Sequence, residues 1–209
     1  VIGGLPHTLA TQGWWIVSRS SGLVAFVLVT ISVFLGLTMA GRPVRQPGFA
    51  RTMKALHEQT ALAALVAIGV HGLAILADPW LKPGVAGVTV PFALASHRFS
   101  VAAGIVAAYL ALLLGLSFYF RRQIGPRLWR QAHRATLAVY VLGLLHALGA
   151  GSDTGSPLFL LWVVGSGVPI ACLFIYRVLA ARTRRRVREE RQPLTSEKFS
   201  INSPVHSID

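Results

Sequence analysis

HEQTALAALVAIGVHG, residues 57–72, sets a histidine near each end of a run that has no Lys, Arg, Asp or Glu after Glu58. Extended to Ala77, the stretch reaches the roughly 20 apolar residues that a bilayer core demands. An ionisable side chain inside hydrocarbon is costly, so His57 and His71 are functional candidates by their position alone. The arrangement recurs in HRATLAVYVLGLLHALG, residues 133–149, with His133 and His146. Read outward from these two stretches, the chain is expected to be an all-α integral membrane bundle of about five transmembrane helices.

Composition agrees with that class. Of the 209 residues, 54% are hydrophobic and 13% charged, and the mean hydropathy is +0.60. This balance is too apolar for an ordinary soluble domain. The net charge of +13 would suggest nucleic acid if it lined one soluble surface, but the basic residues fall between apolar runs and after the last one. That distribution is the positive-inside pattern, so a nucleic-acid partner is not expected and the lipid bilayer is. The single cysteine, Cys172, lies in an apolar run, so neither an internal disulfide nor a Cys-based metal site is proposed. No basic stretch, short apolar core and small-residue cleavage site open the chain, and the first apolar run reads as a retained helix.

The apolar runs fall at about 14–40, 56–77, 99–120, 132–150 and 157–181. Connections rich in Gly, Pro and Asp separate them, as in Gly41-Arg42-Pro43 and Asp78-Pro79. The first connection carries Arg42, Arg45, Arg51 and Lys54, and the third Arg121, Arg122, Arg127 and Arg130; the fourth carries no Lys or Arg. Alternate connections are thus basic, which predicts the N-terminus outside, the C-terminus in the cytoplasm, and parallel second and fourth helices. Residues 82–95 are apolar but broken by Pro83, Gly84, Gly87 and Pro91, so they are expected to lie along the outer interface or fold back rather than span. Residues 1–181 form the transmembrane domain in this reading, and 182–209 a basic collar with a disordered tail.

Taken singly, each histidine reads as a hydrogen-bonded packing residue. Two pairs at nearly equal spacing in two parallel helices point instead to paired metal ligands. Fourteen steps separate His57 from His71 by about 21 Å, and thirteen separate His133 from His146 by about 19.5 Å. Each facing pair can supply both axial ligands of a heme iron. His57 and His133 would hold an inner b heme, and His71 and His146 an outer one. The angular positions differ between the two helices. At about 100° per residue, His71 returns to within roughly 40° of His57, but His146 lies roughly 140° from His133. Either the fourth helix is overwound or kinked near Gly143, or the two cofactors approach it from different sides. A bare zinc site fits less well, because three or four protein donors would have to converge and no carboxylate or thiol is near. Gly69, Gly72, Ala74, Gly143, Ala147 and Gly149 flank the ligands, and either let a porphyrin near the backbone or serve helix packing. Arg19, inside the first apolar run, is a candidate partner for outer-heme propionates, or an interfacial cation beside Trp14 and Trp15. Arg51, Lys54, Arg130 and Arg134 are the inner-side counterparts.

W-x3-R-x2-G-L at Trp15, Arg19, Gly22 and Leu23, H-x13-H at His57 and His71, and L-W-R-x2-H at Leu128–His133 followed by H-x12-H together resemble the ferric-reductase-like transmembrane domain. The resemblance spans about residues 14–181 and extends to NADPH oxidases, ferric reductases and the heme subunit of bacterial methionine-sulfoxide reductase. It implies that His57, His71, His133 and His146 are axial ligands of two stacked b hemes, and it favours a propionate role for Arg19. It implies a multi-pass protein of a cell membrane, resembling the smaller bacterial versions. No Gly-rich phosphate loop occurs, so a flavin and nicotinamide domain is not expected here. Electrons would come from a separate flavoprotein reductase or a quinol, and the chain is expected to be an oxidoreductase electron-transfer component rather than a complete enzyme. Two other readings stay open: a quinol-linked heme anchor serving a periplasmic reductase, and a non-redox transporter or assembly factor with a histidine proton relay.

Overall fold

In a computed structural model, residues 5–41 and 47–201 are described; Arg42, Arg45 and the tail beyond 201 lie outside them. Helix α1 (Leu5–Gly41) is followed by α2 (Pro47–Ala77), a short α3 (Gly84–Thr89), α4 (Arg98–Leu116), the short α5 (Arg121–Ile124) and α6 (Pro126–His133), α7 (Thr136–Ala150) and α8 (Pro157–Ile201). No strand occurs among the described residues.

Segments Gln12–Ala40, Gly48–Ala77, Arg98–Leu116 and Pro157–Arg186 are long and apolar enough to cross a bilayer. The fifth expected span differs. Residues 132–150 are divided, with α6 ending at His133 and α7 running for 15 residues from Thr136. The break is a local tightening. Arg134, Ala135, Leu137 and Ala138 donate their backbone N–H groups three residues back, to Gln131, Ala132, Arg134 and Ala135. Such 3₁₀ bonding turns the chain by about 120° per residue instead of 100°. Four residues of it add about 80°, which recovers more than half of the 140° by which an ideal helix would separate His133 from His146. The fourth run is overwound, and the place is Arg134–Ala135 rather than Gly143.

Helix α1 packs along α2, and α4 along α7, while α2 and α7 share no packed seam. A small buried cluster of Phe26, Val33, Tyr140, Phe159 and Ile170 joins α1, α7 and α8. Phe26 and Tyr140 stack in it with ring centroids 5.9 Å apart. The outside is apolar: Val66 and Leu73 are 67% exposed and Phe99 is 80% exposed. Surfaces of that extent associate in water and are matched by lipid tails. The chain is a multi-pass membrane protein.

Residues 82–95 fold back. Gly84, at φ 64°, turns the chain into α3, and Leu94 returns over Gly87. The hydroxyl of Tyr109 on α4 donates to the Thr89 carbonyl at 2.6 Å and ties the segment down. After Ala181, where a basic collar and then a tail were expected, the chain continues as helix to Ile201. Arg and Glu, which dominate residues 182–191, are good helix formers, and the Arg185 Nε–H donates to Glu189 at 2.8 Å, one turn on.

Candidate functional site

The four histidines meet in two pairs. His57 of α2 and His133 at the end of α6 have ring centroids 6.0 Å apart, and His71 of α2 and His146 of α7 have theirs 6.1 Å apart. All four are half-buried. Two imidazoles ligating one metal from opposite sides, with bonds of about 2 Å and ring centres about 1.1 Å further back, would sit about 6.2 Å apart. Both pairs fit that span.

A shared local device orients three of the rings. The Nδ1–H of His57 donates to the Ser32 carbonyl at 2.8 Å, that of His71 to the Ser18 carbonyl at 2.8 Å, and that of His146 to the Ser100 carbonyl at 2.9 Å. Each bond leaves Nε2 with its lone pair, as a metal-ligating histidine requires. One turn beyond each serine is a glycine against the same ring. A β-carbon on Gly22 would lie 3.0 Å from His71, on Gly36 3.3 Å from His57, and on Gly104 2.5 Å from His146. S-x3-G therefore occurs three times, at Ser18–Gly22, Ser32–Gly36 and Ser100–Gly104. The first two copies lie fourteen residues apart on α1, matching His57 and His71 on the antiparallel α2. The glycines that touch the rings thus lie on the neighbouring helices. Gly69 and Gly143, beside the ligands in sequence, have no neighbour within 4 Å of a β-carbon, and Gly72 meets only Val88.

Around His71 and His146 opens a cavity of about 1170 Å³ whose lining includes Gly22, Phe26, Gly72, Gly104, Gly143 and Ala147. Ordinary small-molecule sites run to about 300–1,000 Å³, so a large planar ligand has room there. Pro83, Gly87, Val88 and Leu94 of the folded-back segment line it as well, together with His97, the residue preceding α4. Arg19 also lines this cavity. Its Nε–H donates to Asp153 at 3.0 Å, Nη2 completes a second bond to the same carboxylate, and the guanidinium lies 5.1 Å from the Trp15 ring centre. Asp153, in the connection between α7 and α8, was not singled out from the sequence. An acidic residue in a loop gives no signal of pairing across 134 positions. Arg51, Lys54, Arg130 and Arg134, close in sequence to His57 and His133, are exposed.

Among the described residues, no group of three or more His, Cys, Asp or Glu side chains could hold a metal ion. Two donors per site suit a metal that brings its equatorial ligands with it, which a porphyrin iron does.

The sequence pattern described as ferric reductase like transmembrane component matches residues 21–144, more than half of the chain. The chain belongs to the ferric reductase-like transmembrane family. It is therefore a transmembrane redox component, of a family whose membrane domains generally bind heme. The matched region holds His57, His71 and His133; Arg19 and His146 fall just outside it. No curated protein and no solved structure matches the chain.

Proposed function

We propose that this ferric reductase-like component carries electrons across the membrane through two b-type hemes, of which His57 and His133 would hold the inner one and His71 and His146 the outer one. The observation that carries the reading is the pair of facing imidazoles, repeated at two levels with ring centres 6.0 and 6.1 Å apart. When bound, heme iron supplies a one-electron couple that side chains alone lack. The residues of the chain do the rest. Ser18, Ser32 and Ser100 fix the tautomer and azimuth of His71, His57 and His146 through their carbonyls. Gly22, Gly36 and Gly104 let α1 and α4 approach those rings. Arg19, whose charge is balanced by Asp153 on the wall of the outer cavity, would meet an anionic propionate through its remaining N–H groups or by exchanging Asp153 for it. The folded-back segment supplies part of the wall of the cavity around His71 and His146.

The basic connections support a C-terminus on the cytoplasmic side and electron flow outward. Electrons are supplied from outside these 209 residues, by a flavoprotein reductase or a quinol, and are delivered to an acceptor outside the membrane. A histidine proton relay has less support, because it needs hydrogen-bonded neighbours in series. His57, His71 and His146 spend Nδ1 on backbone carbonyls instead. The test is a dithionite-reduced minus oxidised spectrum with a pyridine hemochrome count on protein from heme-supplied cells. Sharp b-type bands and close to two hemes per chain are expected. A colourless protein would overturn the reading.

A further inference from the structure

One of the four rings lacks the anchor that the other three share. The Nδ1 of His133 is buried and has no hydrogen-bond partner among the described residues. The register explains this. Since Ser100 serves His146 across the antiparallel α4 and α7, the position fourteen residues along α4 should serve His133, thirteen residues back. That position is Leu114, and one turn beyond it stands Phe118 in place of a glycine. The Leu114 carbonyl accepts the Ser117 hydroxyl at 2.7 Å and makes no bond to His133. Ser117 Oγ in turn accepts the indole N–H of Trp129 at 3.2 Å. Trp129 lies on His133, with ring centres 4.9 Å apart and planes 24° from parallel, and Phe118 flanks the indole at 6.0 Å.

We propose that the inner site is asymmetric: His57 is anchored through Ser32, whereas His133 is positioned towards its metal by the stacked indole of Trp129, itself held by Ser117. This rests on the two-heme reading of the histidine pairs. Trp129 is a positioning residue that acts through His133. A histidine that donates its second N–H to an acceptor is a stronger, better-oriented ligand, and loss of such outer partners costs about 10–100-fold in metal affinity. Among the described residues no hydrogen bond fixes the azimuth of His133, so the inner site depends on the Trp129 face stacked on it. The outer site depends on two backbone carbonyls.

The test compares Trp129→Leu, Trp129→Phe and Ser117→Ala with the wild-type protein. The readouts are redox titration of the heme bands and the low-spin signal of the ferric protein by electron paramagnetic resonance. Trp129→Leu is expected to lower the inner site's ferric-over-ferrous preference about tenfold, raising one midpoint by about 59 mV for a one-electron couple. A high-spin fraction should appear, while the other midpoint, an internal gauge of folding, stays in place. Trp129→Phe keeps a ring to stack and should restore most of the wild-type value; Ser117→Ala should shift the same midpoint in the same direction by less. Unchanged midpoints and spin state in Trp129→Leu would overturn the proposal, as would Trp129→Phe behaving like Trp129→Leu. Should Trp129→Leu assemble neither heme, Ser117→Ala decides: a shifted inner midpoint supports the proposal and an unshifted one overturns it. A wild-type protein without two hemes would instead remove the reading beneath it, a result visible before any variant is made.

Discussion

At Gly104 the backbone of α4 runs so close to the His146 ring that a β-carbon would stand 2.5 Å from Nδ1 and 2.7 Å from Cγ. Real β-carbons do not approach that closely, so Gly104→Ala must push the imidazole off the Ser100 carbonyl or part α4 from α7. The expected result is a fall in outer-heme affinity of about 10–100-fold, read as heme content approaching one per chain, with the inner heme retained. Gly36→Ala, whose β-carbon would meet His57 at 3.3 Å, should keep both hemes, because a shift of a few tenths of an ångström suffices. Equal heme loss in the two variants would contradict this ranking. The histidines themselves were legible in the sequence, since charge-capable side chains in a hydrocarbon run carry a cost that must be explained. The S-x3-G cradles were not. Serine and glycine are ordinary packing residues in membrane helices, and only the contact with a histidine on another helix distinguishes Ser18, Ser32 and Ser100 from their neighbours. Arg19 was legible as an unusual residue, but its bond to Asp153 depends on how the connection between α7 and α8 returns over α1.

Axial and angular placement behave differently at the scale of the element. Helix rise fixes depth, so the levels of the two pairs followed from residue counting. The angle accumulates every local departure from 100° per residue, and the tight turns around Arg134 and Ala135 left no mark in composition. Their effect is testable. Deleting Ala135 should rotate α7 by about 120° relative to His133 and carry His146 off the face opposite His71. Heme content should drop from about two to about one, with the outer heme the one lost; two retained hemes would show that the turn does not set the angle. The folded-back segment between α2 and α4 was legible as a non-spanning piece, because Pro and Gly forbid a long helix there. Its closure over the outer cavity depends on contacts such as Tyr109 to Thr89, which no local pattern announces.

For the whole molecule, the distribution of basic residues bears on how the bundle sits in the bilayer. With Cys172 replaced by Ala, Ser152→Cys is expected to react with a membrane-impermeant maleimide in intact cells, and Arg127→Cys only after the membrane is opened. The reverse pattern would invert the direction of electron flow. The central claim is narrower: four histidines act as two cross-helix pairs. The most direct measurement of it is a resolved redox and absorbance analysis of the four single His→Ala variants with the His71→Ala/His146→Ala double variant. On this account His71→Ala and His146→Ala each lose the same heme, His57→Ala and His133→Ala lose the other, and the double variant still holds close to one heme. If the double variant loses both hemes, or if partners across α2 and α7 affect different hemes, the pairing is wrong.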